Sequence, residues 1–182
     1  MDDVFTLSKA RTIEICRAIQ AGKFDLTLSF ANGIRADSVD EEVLQVLKDT
    51  GFEDLGFGVE TGDEAILESI KKNTNKESMR RAFKMAKKFG FNTWGFFMIG
   101  LPGETNETIK KTIDFAIELD PDFAKFLILK PFPGSEVFKD LHERGAIKDH
   151  NYDNYGVYTA PVHELPGLSG KQMLRWQQWA YL

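Results

Sequence analysis

The sequence predicts an α/β fold of parallel strand–loop–helix units, arranged as part of a (β/α) barrel. Short apolar, β-rich runs alternate with helical periods four times in succession. The glycines, prolines and charged residues that interrupt the pattern collect just after each run. Such alternation calls for crossovers between parallel strands, which leaves a doubly wound sheet or a barrel. The loop residues favour the barrel, where the C-terminal end of every strand opens on one mouth.

Each element has its own signal. Ser8 to Ala21 places Ile13, Cys16 and Ile19 at three-residue steps, with Ser8 as N-cap and Gly22 as stop, and reads as a helix. Phe24 to Ala31 alternates Leu26, Leu28 and Phe30 on one face and runs into Asn32-Gly33, so a strand and a turn are expected. Ser38 to Asp49 repeats the helix grammar, with Ser38 as the expected cap and Val43, Leu44, Val46 and Leu47 on the inner stripe. Leu55 to Val59 is short and glycine-rich, a buried strand. A helical segment follows over Ala65 to Ile70, and Asn75 caps the next over Lys76 to Phe89. Thr93 to Ile99 is a strand closed by Gly100-Leu101-Pro102-Gly103, and Thr105 to Leu119 is helical. Phe123 to Leu129 is the fourth strand, ended by Pro131-Phe132-Pro133-Gly134, and Ser135 to Arg144 is a further helix. Beyond Gly145 the period fails until a helical pattern returns over Gly170 to Leu182.

This divides the chain into a barrel part, 1–145, and a C-terminal extension, 146–182, of loop then helix. Four units are too few to close a barrel of eight. The opening Asp2-Asp3-Val4-Phe5-Thr6 reads as the loop after an absent strand, so a truncated start is expected.

Composition narrows the function. The 182 residues are 42% apolar and 28% charged, enough for a core and unlike a disordered chain. The 23 Lys and Arg against 28 Asp and Glu give a net charge of −5, which speaks against a general basic surface, and no nucleic-acid partner is expected. The longest uncharged apolar stretch, Trp94 to Leu101, is far short of the roughly 18 residues that a membrane helix needs. The acidic N-terminus lacks the marks of a signal peptide, so a cytoplasmic location is expected. One cysteine, Cys16, and three histidines exclude a thiolate-rich metal cage and an intrachain disulfide. The 15 phenylalanines, against 4 tyrosines and 3 tryptophans, call for a very apolar core or an apolar pocket.

Chemistry-bearing residues stand after the strands. Glu60 ends an apolar strand, where its carboxylate can accept two hydrogen bonds from a ribose diol or an amine, or else cap the next helix. Arg35 follows the Asn-Gly turn, suited to gripping a carboxylate or phosphate, or to a surface pair with Asp37 or Asp40. Gly100 and Gly103 let backbone approach a flat ligand, and Phe97, Met98 and Ile99 offer apolar faces for an aromatic base. A buried strand with a tight turn has the same composition. The turn is not a phosphate loop, because the Lys and Ser/Thr that such a loop requires are missing. Cys16 reads as core. His142 and His163 lack the second histidine of a zinc-protease helix and read as surface residues. Asp2 and Asp3 read as ligand-facing loop acids or as a frayed end.

Taken in order, Asp-Asp-x-Phe-Thr at the start, Gly-Ile-Arg-Ala-Asp after the first strand, Phe-Gly-Val-Glu-Thr-Gly, Gly-Leu-Pro-Gly-Glu-Thr and Pro-Phe-Pro-Gly-Ser resemble the radical S-adenosylmethionine (SAM) superfamily. The branch is the one associated with a cobalamin-binding domain, including anaerobic magnesium-protoporphyrin monomethyl ester cyclase and related methyltransferases. The likeness runs from Asp2 to about Leu141. It implies a partial (β/α)6, TIM-like barrel holding SAM and a [4Fe–4S] cluster, with cobalamin supplied by a further N-terminal domain. It also implies cleavage of SAM to a 5′-deoxyadenosyl radical for oxidative cyclisation or methylation of a small-molecule substrate, a tetrapyrrole among the candidates. On this resemblance Asp2 and Asp3 meet the methionyl amine, Glu60 the ribose, the Phe97 to Gly100 segment the adenine, and Arg35 the methionyl carboxylate.

The sequence departs from the family at the cluster. The three cysteines spaced Cys-x3-Cys-x2-Cys are absent, so the chain reads as part of a longer enzyme, inactive alone and lacking the first two strands and the cluster loop. A non-catalytic barrel module binding a small ligand or protein partner stands as the alternative. An uncovered edge over Leu26 to Ala31 further predicts self-association.

Overall fold

The computed structural model describes residues 5–30, 32–72 and 74–182, so Asp2 and Asp3 lie outside the described residues. Among these residues the chain forms α1 (Lys9–Gly22), α2 (Glu41–Asp49), β1 (Asp54–Glu60), α3 (Glu64–Ser69), α4 (Lys76–Lys88), β2 (Asn92–Ile99), α5 (Asn106–Leu119), β3 (Phe123–Ile128), α6 (Glu136–Glu143) and α7 (Gly170–Trp179). The three strands are parallel and pair in the order β1-β2-β3, so the α/β class holds.

Helix starts follow the capping residues. Ser8 accepts from the amide of Arg11, Ser135 from that of Phe138, and Asn75 and Ser169 each make a reciprocal capping box. The second helix departs from expectation. Ser38 lies in a 3-10 turn, Val39 remains extended, and Asp40 caps α2 by accepting from the amide of Val43 at 2.9 Å. A carboxylate satisfies that amide and the helix dipole together, which a hydroxyl two residues earlier cannot do.

The expected first strand, Phe24 to Ala31, is also corrected. What forms is an extended segment joined to its neighbour by isolated parallel bridges, Leu28 with Phe52 and Ile34 with Phe57. The apolar alternation reads as strand, but Leu26 is 52% exposed and Leu28 and Phe30 are half-buried, so little burial reinforces a ladder. Ala31 lies outside the described residues.

The chain divides into two compact units. The first comprises residues up to Val59, Thr74–Phe96 and Ala116–Lys125. Its core is Leu44, Leu47, Leu55, Met79 and Ala86 around the Phe57–Phe83 ring pair, whose centroids are 4.9 Å apart. Cys16 is fully buried there, and Phe5, Phe30 and Phe52 form a second aromatic cluster. These rings account for part of the phenylalanine excess as core.

The second unit comprises Glu60–Asn73, Phe97–Phe115 and Phe126–Leu182. Phe97 stacks on Phe126 at 4.8 Å, and Tyr181 meets Phe126 edge-on at 5.8 Å. The residues after Gly145 belong to this core. Ile147, Val162, Leu165, Leu168 and Met173 are buried, Trp176 donates to Asn106 Oδ1 at 2.7 Å, and Gln177 donates to the Phe126 carbonyl at 2.8 Å.

Candidate functional site

The second unit begins at Glu60, the last residue of β1, and it begins with strain. Glu60 has φ 68°, a left-handed conformation that costs a non-glycine residue about 1–2 kcal/mol. Its Oε1 accepts from Lys72 Nζ at 2.6 Å, with each side chain about a quarter exposed (23% for Glu60, 25% for Lys72). A carboxylate about a quarter exposed, with Oε2 beside the Lys72-bound Oε1, can accept from a bound hydroxyl pair.

The loop that follows is fixed from α5. The buried Thr112 hydroxyl accepts from the amide of Gly62 at 3.0 Å, lies 3.0 Å from Thr61 Oγ1 and donates to the Thr108 carbonyl. Gly62 has no room for a side chain, since a Cβ would stand 2.5 Å from the Lys111 carbonyl and 2.8 Å from Phe115 Cβ. Asp63 caps α3 and accepts from Lys111 Nζ at 2.7 Å, and this lysine holds its carboxyl below the usual range. One helix therefore holds three consecutive residues directly after Glu60.

The end of β2 carries a second arrangement. Phe97 and Ile99 are buried, at 1% and 0% exposure, and only Met98 among the three apolar candidates is half-open. Gly100 turns the chain with φ 89°. Its amide donates to Glu104 Oε2 at 2.6 Å, and that of Leu101 donates to the same oxygen at 3.1 Å. Glu104 is buried, and burial pushes its pKa up to about 7 against the two amide bonds. Its Oε1 is buried without a hydrogen-bond partner. On the other side, His163 Nε2 lies 2.8 Å from the Gly100 carbonyl. The expectation that His163 is a surface residue is corrected: it is 1% exposed, because its neighbours Val162 and Leu165 carry it into the core. His142 and His150 are exposed.

After β3, Lys130 is buried and donates to the Thr159 hydroxyl at 2.9 Å and to the carbonyls of Thr159 and Ala160. Burial pushes its pKa down. A cleft of about 660 Å³ lies in this unit, lined by Ile70, Lys71, Leu101, Pro102, Leu129 and Val137 among others, a volume suited to a small molecule.

Of the residues singled out in the sequence, Glu60 and the Phe97–Gly100 segment end neighbouring parallel strands, hence on one edge of the sheet. Arg35 belongs to the first unit, where its Nε and Nη2 donate to Asp37 at 2.9 and 2.6 Å, the surface pairing weighed above. Sequence reasoning missed Glu104, Lys130 and His163 as buried ionisable residues. Glu104 left a signal, an acid four residues after the glycine that ends a strand, whereas the other two are buried by long-range packing.

This combination of parallel strands and polar groups after their C-terminal ends defines a barrel-type α/β protein. The Radical SAM superfamily profile matches residues 3–116, more than half of the chain, and the chain belongs to that superfamily. An uncharacterized methyltransferase of Pyrococcus horikoshii is 34% identical over all of this chain and 39% of its own length. The anaerobic magnesium-protoporphyrin IX monomethyl ester cyclase of Rubrivivax gelatinosus is 28% identical over 95% of this chain and 31% of its own. The radical SAM methyltransferase TsrM of Kitasatospora setae, solved with cobalamin and a [4Fe–4S] cluster, shares the fold with a TM-score of 0.69. It is 24% identical over 88% of this chain and 31% of that one. The chain thus spans between about a third and two-fifths of the length of these relatives.

SAM and a [4Fe–4S] cluster are the cofactors of this family. The donor set of the second unit fits the first: a carboxylate about a quarter exposed after β1 and the partly exposed Met98 near the end of β2 suit a ribose and a flat base. The second does not fit these residues. Cys16 is the only cysteine and is buried, and among the described residues no three His, Cys, Asp or Glu side chains are grouped to hold a metal. Among the described residues no helix is long and apolar enough to cross a membrane.

Proposed function

We propose that this chain is the cofactor-facing part of a longer radical SAM enzyme, with the cluster cysteines borne by residues beyond these 182. The observation that carries the reading is Glu60, held in a strained conformation at the end of β1 on the same sheet edge as the Gly100 turn. Strain of this kind persists where the surroundings over-determine it, and the Thr112 anchor supplies that constraint.

In this reading the Glu60 carboxylate accepts from the ribose hydroxyls of SAM, with Lys72 orienting it. The backbone around Gly100, with Met98, lies along the adenine. When bound, SAM supplies a 5′-deoxyadenosyl group for C–H functionalisation, as methylation or oxidative cyclisation. The substrate is a small molecule and the cleft beside Leu101 and Leu129 is sized to admit one. Names of relatives support methyl transfer or tetrapyrrole cyclisation as the reaction class, and the cobalamin-bound fold neighbour supports a cobalamin domain in the parent.

Glu60→Ala in the complete protein should weaken SAM binding by roughly tenfold, the loss of about one charge-assisted hydrogen bond. Unchanged affinity by equilibrium dialysis overturns the reading. The alternative is a ligand-binding barrel without radical chemistry. Failure of an iron- and sulfide-reconstituted longer protein to release 5′-deoxyadenosine from SAM with dithionite would select it.

A further inference from the structure

His163 lies outside the residues that the superfamily profile covers, yet it touches the backbone of the Gly100 turn. Three observations define what it does there. The carbonyl of Gly100 can only accept, so His163 Nε2 must carry the proton in the 2.8 Å bond between them. The other ring nitrogen, Nδ1, is buried with no partner. A side chain needed only for packing at a 1%-exposed position would be apolar, since a buried unpartnered nitrogen costs stability. What histidine adds at this site is one N–H aimed at one carbonyl.

The opposite pole of the same residue is held as firmly. The Gly100 amide donates to Glu104, so both polar backbone groups of Gly100 end on buried ionisable side chains, one from the loop itself and one from the C-terminal extension. The contact is close all round. A Cβ on Gly100 would stand 3.0 Å from His163 Nε2 and 3.1 Å from Met173 Sδ, so residues 163 and 173 together form the wall against which the turn is pressed. His163 is itself anchored by pairing of the extension with residues 146–148. The amide of Lys148 donates to the Val162 carbonyl at 2.8 Å, the amide of Glu164 donates to the Ala146 carbonyl at 3.0 Å, and Ile147 bridges His163 antiparallel.

We propose that His163 is a positioning residue that sets the conformation of the Gly100 turn for SAM, which makes the C-terminal extension part of the cofactor site. The inference rests on the reading of that turn as SAM-facing. It assigns no contact between His163 and the cofactor, because the imidazole acts through the Gly100 carbonyl.

The test uses the complete, cluster-loaded protein with three variants and two measurements: amide hydrogen exchange at Gly100 and Leu101, and the dissociation constant of SAM. His163→Leu should speed exchange and weaken SAM binding, each by about tenfold, the value of one lost hydrogen bond. His163→Gln, whose amide nitrogen reaches the same position as Nε2, should restore both, and the shorter His163→Asn should not. Should the Leu variant fail to fold, the Gln and Asn pair decides, since both bury a polar group and only one reaches the carbonyl. Wild-type exchange and affinity in both Leu and Asn variants, while Glu60→Gln weakens SAM binding, overturns the positioning role alone. Faster exchange at unchanged affinity overturns that role together with the placement of SAM at the Gly100 turn.

Discussion

In the first unit the buried polar residues among those described are Thr6, Thr12, Thr50 and Thr93, whereas the second unit buries Asp63, Glu104, Lys130 and His163 beside Thr61 and Thr112. Hydroxyls are easily satisfied inside a protein, while an ionisable group taken from water costs several kcal/mol unless well partnered. The first unit accordingly keeps its charges outside, as with Lys9 against Asp40 and Glu42. Every buried ionisable residue of the second unit stands on or against a segment that follows a strand's C-terminal end. The contrast teaches that the loop edge of the sheet is held by expensive, directional contacts, and the helix-side scaffold by apolar ones.

That contrast can be broken by substitution. The largest effect is expected from Gly62→Ala, which drives a methyl against the Lys111 carbonyl and should cost about 3 kcal/mol or more by urea denaturation, as overpacking does. A cost under about 1 kcal/mol would mean that the loop after Glu60 is not wedged on α5.

Next comes Glu104. Its folded pKa of about 7 lies above the ordinary 4.5 because burial penalises the carboxylate, so the contribution is fully present below about pH 4.5 and is lost as pH rises through 7. Glu104→Gln, which keeps an acceptor for the Gly100 and Leu101 amides, should be more stable than the parent by about 3 kcal/mol at pH 8 and equal to it at pH 4. His163 has the opposite slope. Its pKa is lowered by burial, so its contribution holds above the ordinary 6.5 and is lost as pH falls below it. A pH profile unaltered by Glu104→Gln would remove the carboxyl from the account of this turn.

A smaller loss, about 1–2 kcal/mol, is expected from Thr112→Val, because the Gly62 amide then loses its acceptor in a buried site. Thr112→Ser should recover most of it. The smallest effect belongs to the first unit: Arg35→Ala breaks an exposed pair with Asp37 and should change stability by less than about 1 kcal/mol. A larger loss there would erase the difference between the units.

Much of this was legible in the chain. Helices announced themselves through period and through Ser8 and Asn75 as caps, since both are local. The run Leu55 to Val59 was read as buried from its composition and is buried as part of β1. Phe24 to Ala31 misled because alternation reports what a strand would bury, whereas Phe24 and Leu26 stay exposed. Ser38 misled because Asp40, two residues on, is the better acceptor. At the site, Glu60 could be named from its place after an apolar strand, but its left-handed backbone and its pairing with Lys72 depend on packing. His163 was illegible, since its burial arises from contact across sixty-three residues with Gly100.

Phe126 lies on β3, at the margin of the three-stranded order. Its amide donates to Tyr181 Oη at 2.9 Å and its carbonyl accepts from Gln177. Two side chains of the final segment thus satisfy the groups that a neighbouring strand would otherwise claim. At Phe126 the sheet is closed to strand addition, so another chain cannot be templated there.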